Sequence, residues 1–283
     1  MTLLDRLLLN KLATKKSSSI TVHDNYSEST TEPYSANYVN TELDKKLKIE
    51  NNAGAHNSIY RGKNITDLFY DGTLSTQIAA GTFDDIFIGD YIIGEDSGTK
   101  YIVADINYRL NTGNTKVCST NHVLMIPEKT MGTNHPMNDT TTSAGGYYGS
   151  KMHTTYLDEA RTTITSDFGA THILSHEQFL SNSVSNGYEN GCGWYDTTVE
   201  LMSEIMVYGS NVYHNIINGT NMPINSSIDK SQLCLFKYRH DLLTCFNGNN
   251  ERVSWWLRDV VSSNDFASVD NIGFIAKHGA QSI

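Results

Sequence analysis

Apolar residues fall in several distinct textures along this chain, and each texture predicts a different kind of element. Over residues 1–12, Leu4, Leu8 and Leu12 lie on one helical stripe flanked by Leu3 and Leu7, which predicts a short amphipathic helix. A helix of that length is marginal alone in water, so its apolar face needs a partner, either outside the chain or on its own domain. Residues 15–33 carry Ser, Thr and Asn without apolar periodicity and read as a polar linker. Ala36, Asn40, Leu43 and Leu47 then return at the spacing of a coiled-coil seam with one polar core position, which suits three bundled strands as well as a solvated helix. The segmentation is an anchor helix over 1–14, the linker over 15–33, a short stalk over 34–52 and a head over 53–283.

Within the head the apolar pattern changes to short alternating runs. Ser75 to Ala80 predicts a short helix before Gly81. Phe83 to Ile93 alternates, and Tyr101 to Ile106 follows across the turn Glu95-Asp96-Ser97-Gly98, a hairpin signature. Asn121 to Pro127 reads as another strand. Met152, Tyr156, Ala160 and Ile164 recur at near-helical spacing, and Leu201, Met202, Ile205 and Met206 place a second helix over Thr198 to Val207. Ser181 to Gly193 and Asn215 to Ser227 read as polar loops, and Ser231 to Phe236 as a strand or a helical turn.

The most informative stretch is Trp255-Trp256-Leu257-Arg258-Asp259. Adjacent residues of a strand point to opposite faces, so one indole fills a core and the other covers a second layer. A buried indole N–H also needs an acceptor. The polar turn Ser262-Ser263-Asn264-Asp265, the run Phe266 to Val269 and the turn Asp270-Asn271 follow, giving a strand that feeds an exposed hairpin. These elements together predict an α+β head with two helices, short strands and long loops.

Composition narrows the function. The 283 residues are 39% hydrophobic and only 18% charged, with a formal net charge of −10. An acidic chain without a basic block argues against nucleic acid as a partner, because that affinity comes from Lys and Arg on phosphates. It argues equally against an anionic membrane surface, and no apolar run is long enough to span a bilayer. Asp5, Arg6 and Asn10 interrupt the leucines at the start, which therefore do not read as a signal peptide. Cysteines at 118, 192, 234 and 245 are too sparse for a disulfide framework and wrongly spaced for structural zinc. Free thiols fit assembly in a reducing cytoplasm.

The candidate chemistry is thin. His172 and His176, followed by Glu177, are the best zinc guess, but they lack the Glu between them that a metalloprotease needs. Gly191-Cys192-Gly193 does not have the form of a nucleophile elbow, and Asn221 to Asn225 lacks the acidic ligands that calcium prefers. No metal or cofactor and no catalytic residue is expected. Recognition by loops on a rigid scaffold remains, with aromatic, Asn and Ser side chains as the contact palette. The candidate ligand-binding residues are Asn264, Asp265, Phe266, Asp270, Asn271, Phe274, Tyr147 and Tyr148.

Several stretches taken in order also resemble one family. They are Ala53-Gly54-Ala55-His56-Asn57-Ser58-Ile59-Tyr60-Arg61-Gly62-Lys63, Ala80 to Tyr91, Thr120 to Pro127, Gly145 to Ser150, Glu204 to Ser210 and the Trp-Trp-Leu-Arg strand. The set is similar to bacteriophage fibre and tail proteins whose head has a C-type-lectin-like fold, the fold shared by phage tropism determinants and formylglycine-generating enzymes. Members continue past the last hairpin with a Gly-Val-Arg-Pro strand. This chain lacks that motif up to Ile283, so the strand is either cut off or replaced. The paired thiols of the enzymatic relatives have no counterpart in Cys234 and Cys245.

The resemblance implies a virion surface protein, a tail fibre or tail-tip protein and a homotrimer. It would attach to other virion proteins through Leu4, Leu8 and Leu12, trimerise along Ala36, Asn40, Leu43 and Leu47, and bind a host cell-surface receptor, a glycan, without catalysis. The alternatives are a structural decoration or head fibre, and an envelope hydrolase working through acids such as Asp84, Asp85 and Asp105.

Overall fold

The computed structural model describes residues 53–185, 188–213, 229 and 231–282. The anchor positions Leu4, Leu8 and Leu12, the stalk positions Ala36, Asn40, Leu43 and Leu47, and the loop Asn215 to Ser227 lie outside the described residues. Residues 52–283 form one unit.

That unit is α+β and opens with three short helices, α1 (Ala53–Asn57), α2 (Thr66–Tyr70) and α3 (Thr73–Ala80). Strands β1 (Tyr91–Ile93), β2 (Lys100–Ile106) and β3 (Val123–Pro127) form an antiparallel sheet in that order. The hairpin forms, but its first arm is shorter than the alternation predicts. Phe83 at φ 54° and Gly89 at φ 84° break the extended run. Between them the chain wraps around Asp90, whose carboxylate accepts Arg61, the Lys63 amide and the Phe87 amide. A fully buried carboxylate must be paired, and pairing Asp90 takes residues 83–90 out of any sheet.

A π-helical turn (Met152–Tyr156) leads into helix α4 (Leu157–Phe168). Strand β4 (His176–Leu180) pairs with β7 (Gly193–Thr197). Between them, β5 (Ser183–Ser185) and β6 (Tyr188–Asn190) form a hairpin. The polar loop expected over Ser181 to Gly193 is therefore largely paired. The cross-strand contact of Phe179 with Trp194, 5.4 Å between centroids, registers β4 on β7.

Tyr147 and Gly146 precede this region. Gly146 sits at φ 62°, and a Cβ there would lie 1.9 Å from the Ser181 carbonyl oxygen. Gly146→Ala is expected to destabilise the head by more than ~1 kcal/mol, from left-handed strain plus a backbone clash. A chemical-denaturation midpoint equal to that of the parent would contradict this.

Helix α5 (Glu204–Tyr208) is only the end of the helix predicted over Thr198 to Val207. Ser203 is extended and its hydroxyl accepts the Met206 amide, so the helix starts there. The stretch before it is held open because Glu200 bonds arginines elsewhere. Ser231 to Phe236 resolves as helix α6 (Cys234–Tyr238). A small β8 (Cys245–Phe246) and β9 (Arg252–Val253) hairpin precedes the final sheet. That sheet comprises β10 (Trp255–Val260), β11 (Asp265–Val269) and β12 (Ile275–Gly279) in antiparallel order.

Two apolar clusters build the interior. The larger gathers β1–β3, α5, α6 and Leu257, and Trp255 packs against it. The smaller holds Met137, Tyr147, Val260 and Phe266, and Trp256 packs against that one. The two indoles thus serve opposite faces of β10, as strand geometry requires. Each ring N–H is bonded, Trp255 to the Leu243 carbonyl at 3.2 Å and Trp256 to the His135 carbonyl at 3.0 Å.

Candidate functional site

Arg258 follows the indoles into the interior, where its side chain is 5% exposed. A guanidinium there requires anionic partners, and the fold supplies two. Its Nη1 donates to Glu200 at 2.7 Å and its Nη2 to Asp229. Arg109 bonds the same two acids, with Nη2 at 2.9 Å from Glu200 and Nη1 on Asp229. The result is a closed, neutral ring of alternating charge, with Arg109, Arg258 and Asp229 buried and Glu200 the most exposed member at 10%. Burial alone would raise the carboxyl pKa of Glu200, but the Arg258 and Arg109 guanidiniums outweigh it and hold the group well below the usual carboxylate range. Asp229 is likewise held low against burial by Arg109 and Arg258. Both acids stay charged and fully engaged, which suits structure and not proton transfer.

Asp259, the next residue of the strand, accepts the Glu204 amide at 2.6 Å. Glu204 in turn accepts the Val212 and Tyr213 amides. The pair Arg258-Asp259 thereby ties β10 to α5. Two charges in the middle of an apolar strand were the available signal for this ring. Its partners, 29 to 149 residues away, were not visible.

Arg109 and Glu200 also line a half-enclosed cavity of about 1060 Å³, at the upper end of the ~300–1,000 Å³ usual for small-molecule sites. It lies between the two apolar clusters. Its walls come from Val123 to Ile126 of β3, from Leu157, Ala160 and Ile164 of α4, and from Trp255 and Trp256 of β10. Among polar residues, His122 and His176 also reach it. The His122 Nε2 accepts the Arg109 amide and its Nδ1 faces the Thr120 carbonyl. Burial keeps its pKa below the ordinary imidazole value, so this ring is neutral. Sequence reasoning missed the cavity, because its walls come from segments that no local pattern connects.

The residues expected to bind ligand separate into three groups. Phe266 is 0% exposed and Tyr147 is 1% exposed. Both belong to the smaller apolar cluster, and Tyr147 turns its hydroxyl inward to accept the Leu201 amide. These two are corrected from surface contacts to core residues. Tyr148 is half-buried, stacked on Tyr195 at 4.2 Å and set against His153.

Asn264 and Asp265 occupy the β10–β11 turn, while Asp270, Asn271 and Phe274 occupy the β11–β12 turn. These turns sit at opposite ends of β11, about 15 Å apart by strand rise, so they do not form one site. The first turn is fastened down. Ser143 donates its amide to the Ser263 carbonyl and its hydroxyl to the Ser262 carbonyl, and the Ala280 amide bonds the Asn264 carbonyl.

The second turn projects. Asp270 Oδ1 accepts the amides of Ile272 and Phe274 at 3.0 and 2.9 Å, an Asx-type lock. The Asp270 amide bonds the Phe274 carbonyl at 2.8 Å, and the Tyr208 hydroxyl donates to the Gly273 carbonyl at 3.0 Å. On this pinned backbone Ile272 is 55% and Phe274 68% exposed. Sequence reasoning named Phe274 but passed over Ile272.

The zinc guess dissolves geometrically. His172 is exposed and bonds the Phe168 carbonyl, while His176 is buried against Gln178. Glu177 is caged by the Asn114, Thr115 and Lys116 amides and the Thr115 hydroxyl. Among the described residues no group of three or more His, Cys, Asp or Glu side chains is placed to hold a metal ion. Two of the three acids considered for hydrolysis have local roles. Asp105 is buried and accepts Asn57 and the Cys234 amide, and Asp85 bonds Gln77. Comparison with known proteins finds no matching family model, curated protein or solved structure.

Proposed function

We propose that this chain is a bacteriophage virion surface protein, a tail fibre or tail-tip component that binds the host envelope without catalysis, with a C-type-lectin-like head. The phage assignment rests on the ordered sequence resemblance described above. The observation that carries the binding role is the turn Asp270 to Phe274. Two large apolar side chains, exposed two residues apart on a backbone locked by five hydrogen bonds, form a preorganised contact, because little freedom is lost on binding. Exposed apolar groups on a rigid element mark interaction sites, and an exposed aromatic ring in a turn that also carries Asp270 and Asn271 suits a sugar face. The acids of the interior support the non-catalytic reading, since Glu200 and Asp229 are committed to arginines. Trimerisation and attachment through the first segment belong to the same proposal, with avidity multiplying weak single contacts.

The test is host-cell adsorption by the full chain. Phe274→Ala combined with Ile272→Ser is expected to lower adsorption by at least about tenfold, the equivalent of ~1.4 kcal/mol. Its melting temperature should match that of the parent. Undiminished adsorption by this variant would remove the turn from the binding surface, and no adsorption by the parent would favour a decoration role.

A further inference from the structure

Two tyrosines from distant parts of the chain meet at the surface. Tyr60 lies between α1 and α2, and Tyr238 ends α6. Their ring centroids are 6.0 Å apart at an interplanar angle of 38°, and the residues are 37% and 44% exposed. Tyr60 is held in three ways. Its backbone is bridged to Ile88, whose amide donates to the Ile59 carbonyl and whose carbonyl accepts the Arg61 amide. Its ring fills the space that a side chain at position 89 would take, since a Cβ on Gly89 would lie 2.2 Å from the ring. Its hydroxyl accepts Arg239 at 2.7 Å, and Arg239 is itself clamped by the two oxygens of Asp241 at 2.8 and 2.6 Å. An exposed ion pair of this kind adds little to stability. What it does here is fix an exposed ring, and a fixed ring loses little freedom on binding.

The surroundings decide what the pair fits. A stable protein interface buries ~800 Å² per partner, with its core depleted of charge. Rings of ~150–250 Å² each, at these exposures, offer on the order of 150 Å² between them, and the flanking Lys237, Arg239 and Asp241 are charged. Bases of single-stranded nucleic acid also stack on aromatic rings, but they need a basic groove for the backbone, and this chain carries a net charge of −10. A pyranose meets the remaining requirements, with a flat C–H face for the rings and a rim of hydroxyls. Tyrosine matches it, with an apolar body and a polar tip. The Tyr238 hydroxyl has no hydrogen-bond partner among the described residues and is left to meet such a rim. β-Linked sugars of glucose configuration carry every substituent equatorially. Axial C–H bonds then cover both faces and successive units run straight, so one ligand can reach two neighbouring rings.

We propose that Tyr60 and Tyr238 form a stacking platform for an oligosaccharide of β-linked, gluco-configured pyranoses. The platform shares no residue with the projecting turn, and it draws nothing from the host-adsorption reading.

Saturation-transfer NMR of the full chain with chitotetraose tests it. Transfer should be strongest on the axial ring protons of the sugar, the signature of stacking. Maltotetraose, whose α-links bend the chain, should bind at least about tenfold more weakly. Tyr238→Ala and Tyr60→Ala should each weaken chitotetraose binding by at least about tenfold while keeping the parent melting temperature, and either variant suffices if the other fails to fold. The Ile272→Ser, Phe274→Ala double variant should bind as the parent does. The proposal is overturned if the parent shows no transfer to chitotetraose, if a folded tyrosine variant binds undiminished, if maltotetraose binds as tightly, or if the double variant loses the sugar.

Discussion

Asp229→Ala is expected to destabilise the head by about 3–5 kcal/mol, the usual consequence of leaving a buried charge without its partner. For a unit of this size that lowers the melting temperature by roughly 6–20 °C. The expectation follows from the closed ring. Removing Asp229 leaves Arg109 and Arg258, whose side chains are 3% and 5% exposed, sharing Glu200 alone. The double change Asp229→Ala with Arg258→Met should cost less than the two single changes summed, because the second removes the stranded charge. Additive losses in urea unfolding would show that the ring is not a coupled unit.

The same ring makes stability depend on pH. Glu200 and Asp229 titrate below their ordinary range when folded. Glu177 is held down to about 2, by the Lys116 amide, then against the opposing burial by the Thr115 hydroxyl and the Asn114 and Thr115 amides. Folded pKa values depressed below unfolded ones give stability that is complete above the unfolded carboxyl pKa of about 4. It is lost as the pH falls from there, because the unfolded chain then binds protons that the folded one refuses. Unfolding free energy should therefore fall from about pH 5 towards pH 2, and Glu177→Gln should flatten part of that slope.

Phe266→Ala carries the second large expectation, a loss of about 3–5 kcal/mol. The ring is fully buried beside Tyr147, Val260 and Met137, and truncation opens a hole that strands β10 and β12 cannot close. Phe274→Ala, eight residues on in the next turn, should leave stability within about 0.5 kcal/mol. The two phenylalanines looked equivalent as contact residues, yet the first should fail in a melt and the second in adsorption. A mild effect at Phe266 would mean that the smaller cluster is loosely packed.

Much of the local architecture was legible beforehand. The helix ending at Ala80, the hairpin from Tyr91 to Ile106, the strand at Val123–Pro127 and the opposed indoles of β10 all follow from period and turn chemistry, which neighbouring residues carry between them. Two of the departures have physical causes of one kind. Residues 83–90 alternate like a strand but are bent around the buried Asp90. Residues 198–203 are spaced like a helix but are held open because Glu200 reaches Arg109 and Arg258. In each case a long-range polar contact overrode a local preference worth less than it.

The candidate site divides along the same line. Local sequence placed Asp270, Asn271 and Phe274 in a turn, because turn residues announce themselves within four positions. Which aromatic faces solvent was settled only by packing, and it put Tyr147 inside with Tyr148 half out, and Phe266 inside with Phe274 out. The cavity and the charge ring belong wholly to tertiary structure. The members of the ring alone lie up to 149 positions apart, and no periodicity in a chain encodes a meeting between residues at that separation.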